Sequence, residues 1–124
     1  MLADMHIQIE AGRLLIRKAA VGNSESSGAN ENGFPDILEA AQAKIFASEM
    51  AIKVTNDALQ IFGSSGYSRN FPLERMARDA RMFTIGGGTA QILRTVVASA
   101  LLERKLPQIR DGYSKKGNIR QIDE

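Results

Sequence analysis

The sequence has no cysteine and a single histidine, His6. Without cysteine there is no disulfide, no thiolate nucleophile and no thiolate metal ligand. That usage fits a reducing compartment, and the cytoplasm is the expected location. His6 has neither a cysteine nor a carboxylate at ligand spacing, so it is expected at the surface, and no metal site is expected. Apolar runs extend only a few residues, far short of a membrane span. The start carries Asp4 and Glu10 instead of a basic region followed by an apolar one, unlike a signal peptide. A net charge of +2, with its signs interspersed, gives no electrostatic footprint for nucleic acid. What remains is an ordinary globular balance, 44% hydrophobic and 24% charged, in a length that suits one domain.

The most informative stretch is Ile85-Gly86-Gly87-Gly88-Thr89-Ala90-Gln91-Ile92. Three glycines permit a sharp turn that other residues resist. Thr89 is a candidate N-cap, and an amphipathic run follows at Ile92, Val96, Val97, Ala100 and Leu101. A glycine turn feeding a helix presents free N–H groups and the positive end of the dipole, which suits a phosphate, a carbonyl oxygen or an enolate. The alternative is a helix start with a flexible approach. No Gly-Lys-Ser/Thr follows, so this is not a Walker loop. The third glycine of a dinucleotide fingerprint is missing and no strand precedes.

Taken in order, the chain predicts four helices and no strand. Leu2, Met5, Ile9, Gly12 and Ile16, widened by Leu14 and Leu15, recur at helical spacing. No start signal precedes Leu2, as in a chain cut inside a longer helix. Residues 22–34 are polar and glycine-rich and predict a loop, which Val21 introduces. Pro35 suits the first turn of the next helix, with Asp36 and Glu39 at its positive end. That helix carries one stripe through Leu38, Ala41, Ile45, Ser48, Ile52, Thr55, Leu59 and Phe62. A second runs Ala43, Ala47, Met50, Val54, Ala58 and Ile61. Two apolar faces imply packing on more than one side, the second being available to another subunit. Gly63 is the expected C-terminal cap, and Tyr67 to Phe71 a connector. Pro72 opens a short helix from Leu73 to about Met82. The last helix is predicted to reach about Lys105, with Pro107 forbidding continuation. The segment 107–124 reads as a basic tail, the bundle as 1–106.

Several of these segments together resemble the acyl-CoA dehydrogenase family in its C-terminal helical domain. The matching text is Ala43-Lys44-Ile45-Phe46-Ala47-Ser48-Glu49 and Asp57-Ala58-Leu59-Gln60-Ile61-Phe62-Gly63. It continues with Gly66-Tyr67, Phe71-Pro72-Leu73-Glu74-Arg75, Arg78-Asp79-Ala80-Arg81 and Gly88-Thr89. Leu2-Ala3-Asp4-Met5 and Ile9-Glu10-Ala11 look like that domain's first helix. The resemblance implies an all-α, up-and-down four-helix bundle at the core of a homo-oligomer, a dimer or a dimer of dimers. It implies FAD as cofactor, contacted at its adenosine end by Gln60, Ile61, Phe62, Gly63 and Ser64 across a subunit boundary, and by Thr89 and Gln91. It implies an acyl-CoA substrate that meets Gly87 and Gly88, and α,β-dehydrogenation as the chemistry. Arg78 and Asp79 are expected to be a structural ion pair or a cap holding the turn, not part of the chemistry.

The sequence also departs from the family. Most members carry a glutamate base just before the Gly-Thr pair, and here that position is Gly87. No catalytic side chain is therefore expected in this chain, although the Gly87 backbone N–H keeps the capacity of an oxyanion donor. The Ile85 to Thr89 text looks most like the isovaleryl-CoA and long-chain members, which place their base elsewhere. Ser99 stands where an arginine is common. The domains that hold the isoalloxazine have no counterpart, so the chain resembles about the last third of such an enzyme. Alternatives are a non-catalytic assembly module, or a degenerate subunit paired with a member that carries the base. With two apolar faces on one helix, the chain should self-associate through the surfaces bearing Ala47, Val54 and Ile61. Light scattering at tens of micromolar should give a mass above the monomer, and a strictly monomeric mass contradicts the expectation.

Overall fold

The computed structural model describes residues 1–25 and 35–107. Five helical elements follow in order: α1 (Leu2–Glu25), α2 (Ile37–Phe62), α3 (Ser64–Tyr67, a single turn), α4 (Leu73–Phe83) and α5 (Ala90–Leu101). No strand occurs among the described residues. The chain is all-α, and its four longer helices are those of the expected bundle.

The length of α2 has a local cause. Its 26 residues contain neither glycine nor proline, so nothing interrupts the hydrogen-bond ladder. The Asp36 carboxylate accepts from the N–H groups of Leu38 at 2.8 Å and Glu39 at 3.1 Å. The cap is therefore Asp36, and Pro35 lies one residue ahead of it, outside the first turn where it was expected. At the other end Gly63 takes φ 58° and its N–H closes on the Gln60 carbonyl at 3.3 Å. Positive φ here stops the helix and turns the chain into α3.

Every long helix packs on α2, and nothing else among the described elements packs on α1 or α5. Helix α1 runs antiparallel to it, with Lys18 near Glu39 at 3.3 Å and Gly12 against Phe46 and Met50. The buried line of α1 passes through Gly12 and Ala19, while Ile16 (51% exposed) and Leu14 (64%) stay outside. Ile16 sits about 60° around the helix from Ala19, which places it on the flank of that face. Met50 thus meets α1 within the chain, so the second stripe of α2 is not wholly reserved for another subunit; its end, Ile61, is 45% exposed. The first stripe faces α4 and α5. Ile52 borders Thr84 and Ala90, and Ile45 borders Val97 and Leu101.

Other boundaries differ from the pattern. Residues 22–25 are helical, extending α1 into the predicted loop, and 26–34 lie outside the described residues. Gly22 and Asn23 are poor helix formers, but adding a residue to a helix already nucleated upstream costs far less than starting one. Helix α5 ends at Leu101, not near Lys105. Its stop is made before Pro107 by Glu103 at φ 50°, the Arg104 N–H on the Ser99 carbonyl at 3.1 Å, and the Leu106 N–H on Ser99 Oγ at 3.0 Å. Ser99 therefore anchors the chain that leaves the helix. Beyond Pro107 the basic tail lies outside the described residues.

The core is made of small side chains. Ala19, Ala41, Ala43, Ala80 and Ala90 are buried, so every long helix brings an alanine to its crossing. Close approach is the result. Gly66 extends the same logic to α3, since a Cβ there would lie 2.8 Å from Phe62 Cβ and 3.1 Å from the Leu59 carbonyl oxygen. Gly66→Ala should therefore lower stability by about 1–3 kcal/mol in urea titration, through overpacking against α2. Asp36→Ala should cost about 1 kcal/mol in the same measurement by removing the α2 cap. A Gly66→Ala protein as stable as the parent would show that α3 shifts freely.

Candidate functional site

The glycine turn is pinned at both ends. Helix α4 closes with the Ile85 and Gly86 N–H groups on the Met82 carbonyl, at 3.0 and 2.8 Å. Six residues further on from Thr84, the Ala90 N–H returns to the Thr84 carbonyl at 3.0 Å. Thr84 and Ala90 are both buried, and Thr84 Oγ1 donates to the Arg81 carbonyl at 3.0 Å. Between these anchors Gly87 takes φ 67° and Gly88 φ 89°, conformations that L side chains resist. Thr89 is the N-cap of α5 as predicted, its hydroxyl accepting from the Ile92 N–H at 3.2 Å.

Gly87 is exposed, and a Cβ built on it would meet nothing within 4 Å. The Gly87 N–H has no acceptor among the described residues. The place where a side chain would project is thus open, and the backbone donor beside it is unspent. No carboxylate is supplied by the turn itself. On the far side Lys44 reaches over from α2, and its Nζ donates to the Gly86 carbonyl at 2.7 Å and the Gly88 carbonyl at 2.5 Å. Sequence reasoning missed this contact. The available signal was a lysine amid small and apolar residues, Ala43-Lys44-Ile45.

Thr89 and Gln91 border a groove of about 230 Å³ with Glu49, Ile52 and Arg81. Glu49 is held there by Arg94 at 2.7 Å, and Arg94 also donates to the Ala90 carbonyl at 3.3 Å. Gln60 and Gly63 border a different groove, of about 480 Å³, with Asn56, Asp57 and Tyr67. Ile61, Phe62 and Ser64 are exposed around the same end of α2, with Phe62 edge-on to Phe71 at 5.6 Å. The structure therefore groups Gln60 to Ser64 at one helix end and Gly87 to Gln91 at another. It does not bring the two sets into one cavity within a single chain. The side chains of Gln60 and Gln91 are exposed and make no hydrogen bond to the described residues, so both amides have donors and acceptors left for a ligand such as FAD.

Arg78 and Asp79 do not pair with each other. Arg78 lies 3.4 Å from Glu74 and Asp79 lies 3.6 Å from Arg75, because residues four apart share a helix face and adjacent ones do not. His6 is exposed, and the described residues contain no cluster of three or more potential metal ligands. No helix among them is long and apolar enough to cross a membrane.

Comparison with known proteins agrees with this architecture. A family profile described as "Acyl-CoA dehydrogenase, C-terminal domain" matches residues 1–102. The 3-sulfinopropanoyl-CoA desulfinase of Advenella mimigardefordensis is 65% identical over 93% of this chain and 27% of its own length. A probable acyl-CoA dehydrogenase of Mycobacterium tuberculosis is 46% identical over 82% of this chain and 25% of its own. The structure of butyryl-CoA dehydrogenase from Megasphaera elsdenii superposes with a TM-score of 0.72 at 44% identity, covering 82% of this chain and 24% of that one. The chain spans about a quarter of the relatives it matches, less than the third expected from the sequence. On the strength of the helical fold, the glycine turn and a profile that covers most of its length, the chain belongs to the acyl-CoA dehydrogenase family, whose C-terminal helical domain residues 1–102 form.

Proposed function

We propose that this chain serves as the C-terminal part of a flavin-dependent homo-oligomeric enzyme that acts on a CoA thioester, and that the thioester is 3-sulfinopropanoyl-CoA. The observation that carries the reading is Gly87. Dehydrogenation needs a carboxylate to take the Cα proton, and the family resemblance implies that most members place it where Gly87 stands. Desulfination consumes water: the sulfinyl group leaves Cβ as sulfite carrying the water oxygen, while Cβ keeps the bonding pair and takes a proton, so no Cα proton need be removed by a carboxylate at this position. The relatives support the same choice, since the desulfinase reaches 65% identity and the probable dehydrogenase 46%.

In this reading the Gly87 N–H donates to the thioester oxygen, and its open surroundings admit the acyl group. Bound FAD would supply the hydride acceptor that dehydrogenation needs, whereas desulfination with water draws no net electrons from the substrate. Thr89 and Gln91 of one copy and Gln60 to Ser64 of another hold its adenosine end, because within one chain the two sets lie in separate grooves. The second reading is α,β-dehydrogenation with a base from outside these residues. The likeness of Ile85 to Thr89 to the isovaleryl-CoA and long-chain members favours it.

Two chimeras separate the readings. In one, this chain replaces the matching C-terminal part of the Advenella mimigardefordensis desulfinase. In the other it replaces that of a family dehydrogenase carrying the glutamate. The first should release sulfite from 3-sulfinopropanoyl-CoA. The second should lose roughly 10²- to 10⁴-fold in acyl-CoA oxidation, followed with an artificial electron acceptor, and Gly87→Glu should recover part of it. A second chimera as active as its parent without the glutamate, beside a first that releases no sulfite, overturns the desulfinase reading. The isolated chain should turn over neither substrate.

A further inference from the structure

Lys44 and the glycine turn are far apart in sequence and meet through one ammonium group. Two of its three N–H donors go to carbonyls on either side of Gly87, at 2.7 Å to Gly86 and 2.5 Å to Gly88. Nothing else from α2 holds the tip of the turn by a hydrogen bond among the described residues. The flanking anchors, Thr84 and Ala90, fix the ends only. Glycines at positive φ have the widest conformational freedom in the chain, so a tip without a tether would sample many orientations.

The peptide geometry gives the clasp a direction. The described residues contain no cis peptide bond. In a trans peptide the C=O and N–H lie in one plane and point in opposite senses. The Gly86 carbonyl belongs to the same peptide unit as the Gly87 N–H, and the Gly88 carbonyl to the same unit as the Thr89 N–H. With both carbonyls drawn onto Lys44, both N–H groups are aimed away from it. A carbonyl that accepts from a cation also polarises its own peptide and strengthens the N–H as a donor.

We propose that Lys44 is a positioning residue that clasps the Gly86 and Gly88 carbonyls and thereby aims the Gly87 N–H at the substrate thioester oxygen. This rests on the proposed function, which takes that N–H as the oxyanion donor. Lys44 itself touches no substrate. Its effect is on orientation, so it belongs to the rate of the chemical step more than to substrate affinity.

The test compares the parent with Lys44→Met, Lys44→Arg and Lys53→Met. Lys53 serves as control, since it lies on the same helix and pairs locally with Asp57 at 2.7 Å. In the full 124-residue chain, NMR should show the Gly86 and Gly88 carbonyl and the Gly87 and Thr89 amide resonances displaced in Lys44→Met only, with helicity by circular dichroism unchanged. In the sulfite-releasing chimera, Lys44→Met should lower kcat by about 10²-fold with little change in KM. Lys44→Arg, which can still bridge two carbonyls, should restore most of it. Unmoved turn resonances in Lys44→Met overturn the clasp. So does an unchanged kcat, or a loss of kcat that tracks lost helicity and that Lys44→Arg does not repair. If the parent chimera releases no sulfite, the functional reading fails separately, and the resonances alone decide whether Lys44 sets the turn.

Discussion

A single helix carries the interhelical packing of this chain. The 26 uninterrupted residues of α2 give α1, α3, α4 and α5 a common surface, and among the described residues α1 and α5 have no other neighbour. Both candidate ligand surfaces hang from it as well. Its C-terminal end presents Gln60 to Ser64, and its middle sends Lys44 to the glycine turn and Glu49 to Arg94. A change that shortens or bends α2 would disturb fold and site together. The Asp36 cap and the absence of glycine and proline over its length therefore matter to both.

The small-residue core has a consequence for assembly. Alanines at each crossing bring the helices close but bury little apolar area, and no large side chain among the described residues is fully buried. Ile61, Phe62, Phe71 and Phe83 are all more than two-fifths exposed. Covering a large apolar side chain contributes about 1.5–3 kcal/mol. These four are already about half covered, so about half of that remains for each, and together they hold about 3–6 kcal/mol, a sizeable part of the stability of a small domain. The helical framework gains that free energy only when another surface covers them. In the proposed enzyme, other parts of the protein or other copies of the chain would provide those surfaces.

The separation of the two proposed ligand-contacting sets follows from the same arrangement. A bundle organised on one long helix places its helix ends apart, so donors at the end of α2 and donors at the start of α5 border different grooves. In the proposed enzyme, an assembly that sets one copy's helix end beside another copy's glycine turn would unite them. In the proposed enzyme, oligomerisation and cofactor retention are therefore one event.

The sequence by itself determined the all-α class, the cap at Thr89, the stop at Gly63, the short helix after Pro72 and the family. These depend on neighbours within a few residues, or on text that repeats across relatives. Helix ends were read less well. Residues 22–25 joined α1 because propagation is easy once a helix is nucleated, and α5 stopped at Leu101 because Glu103 and Ser99 supply a local cap that no periodicity reveals. The stripe through Met5, Ile9, Gly12 and Leu15 marked the covered face of α1, but the exposure of Ile16 on its flank, the pairing of Met50 with Gly12, and the reach of Lys44 across 42 positions to Gly86 were decided only by tertiary structure. Such contacts are set by where α2 lies against its neighbours, and no local pattern records that distance. Local sequence could mark the glycine turn as a source of free N–H groups and the family resemblance could single out Gly87, but the direction in which its N–H points is fixed by an ammonium brought to the turn by the fold.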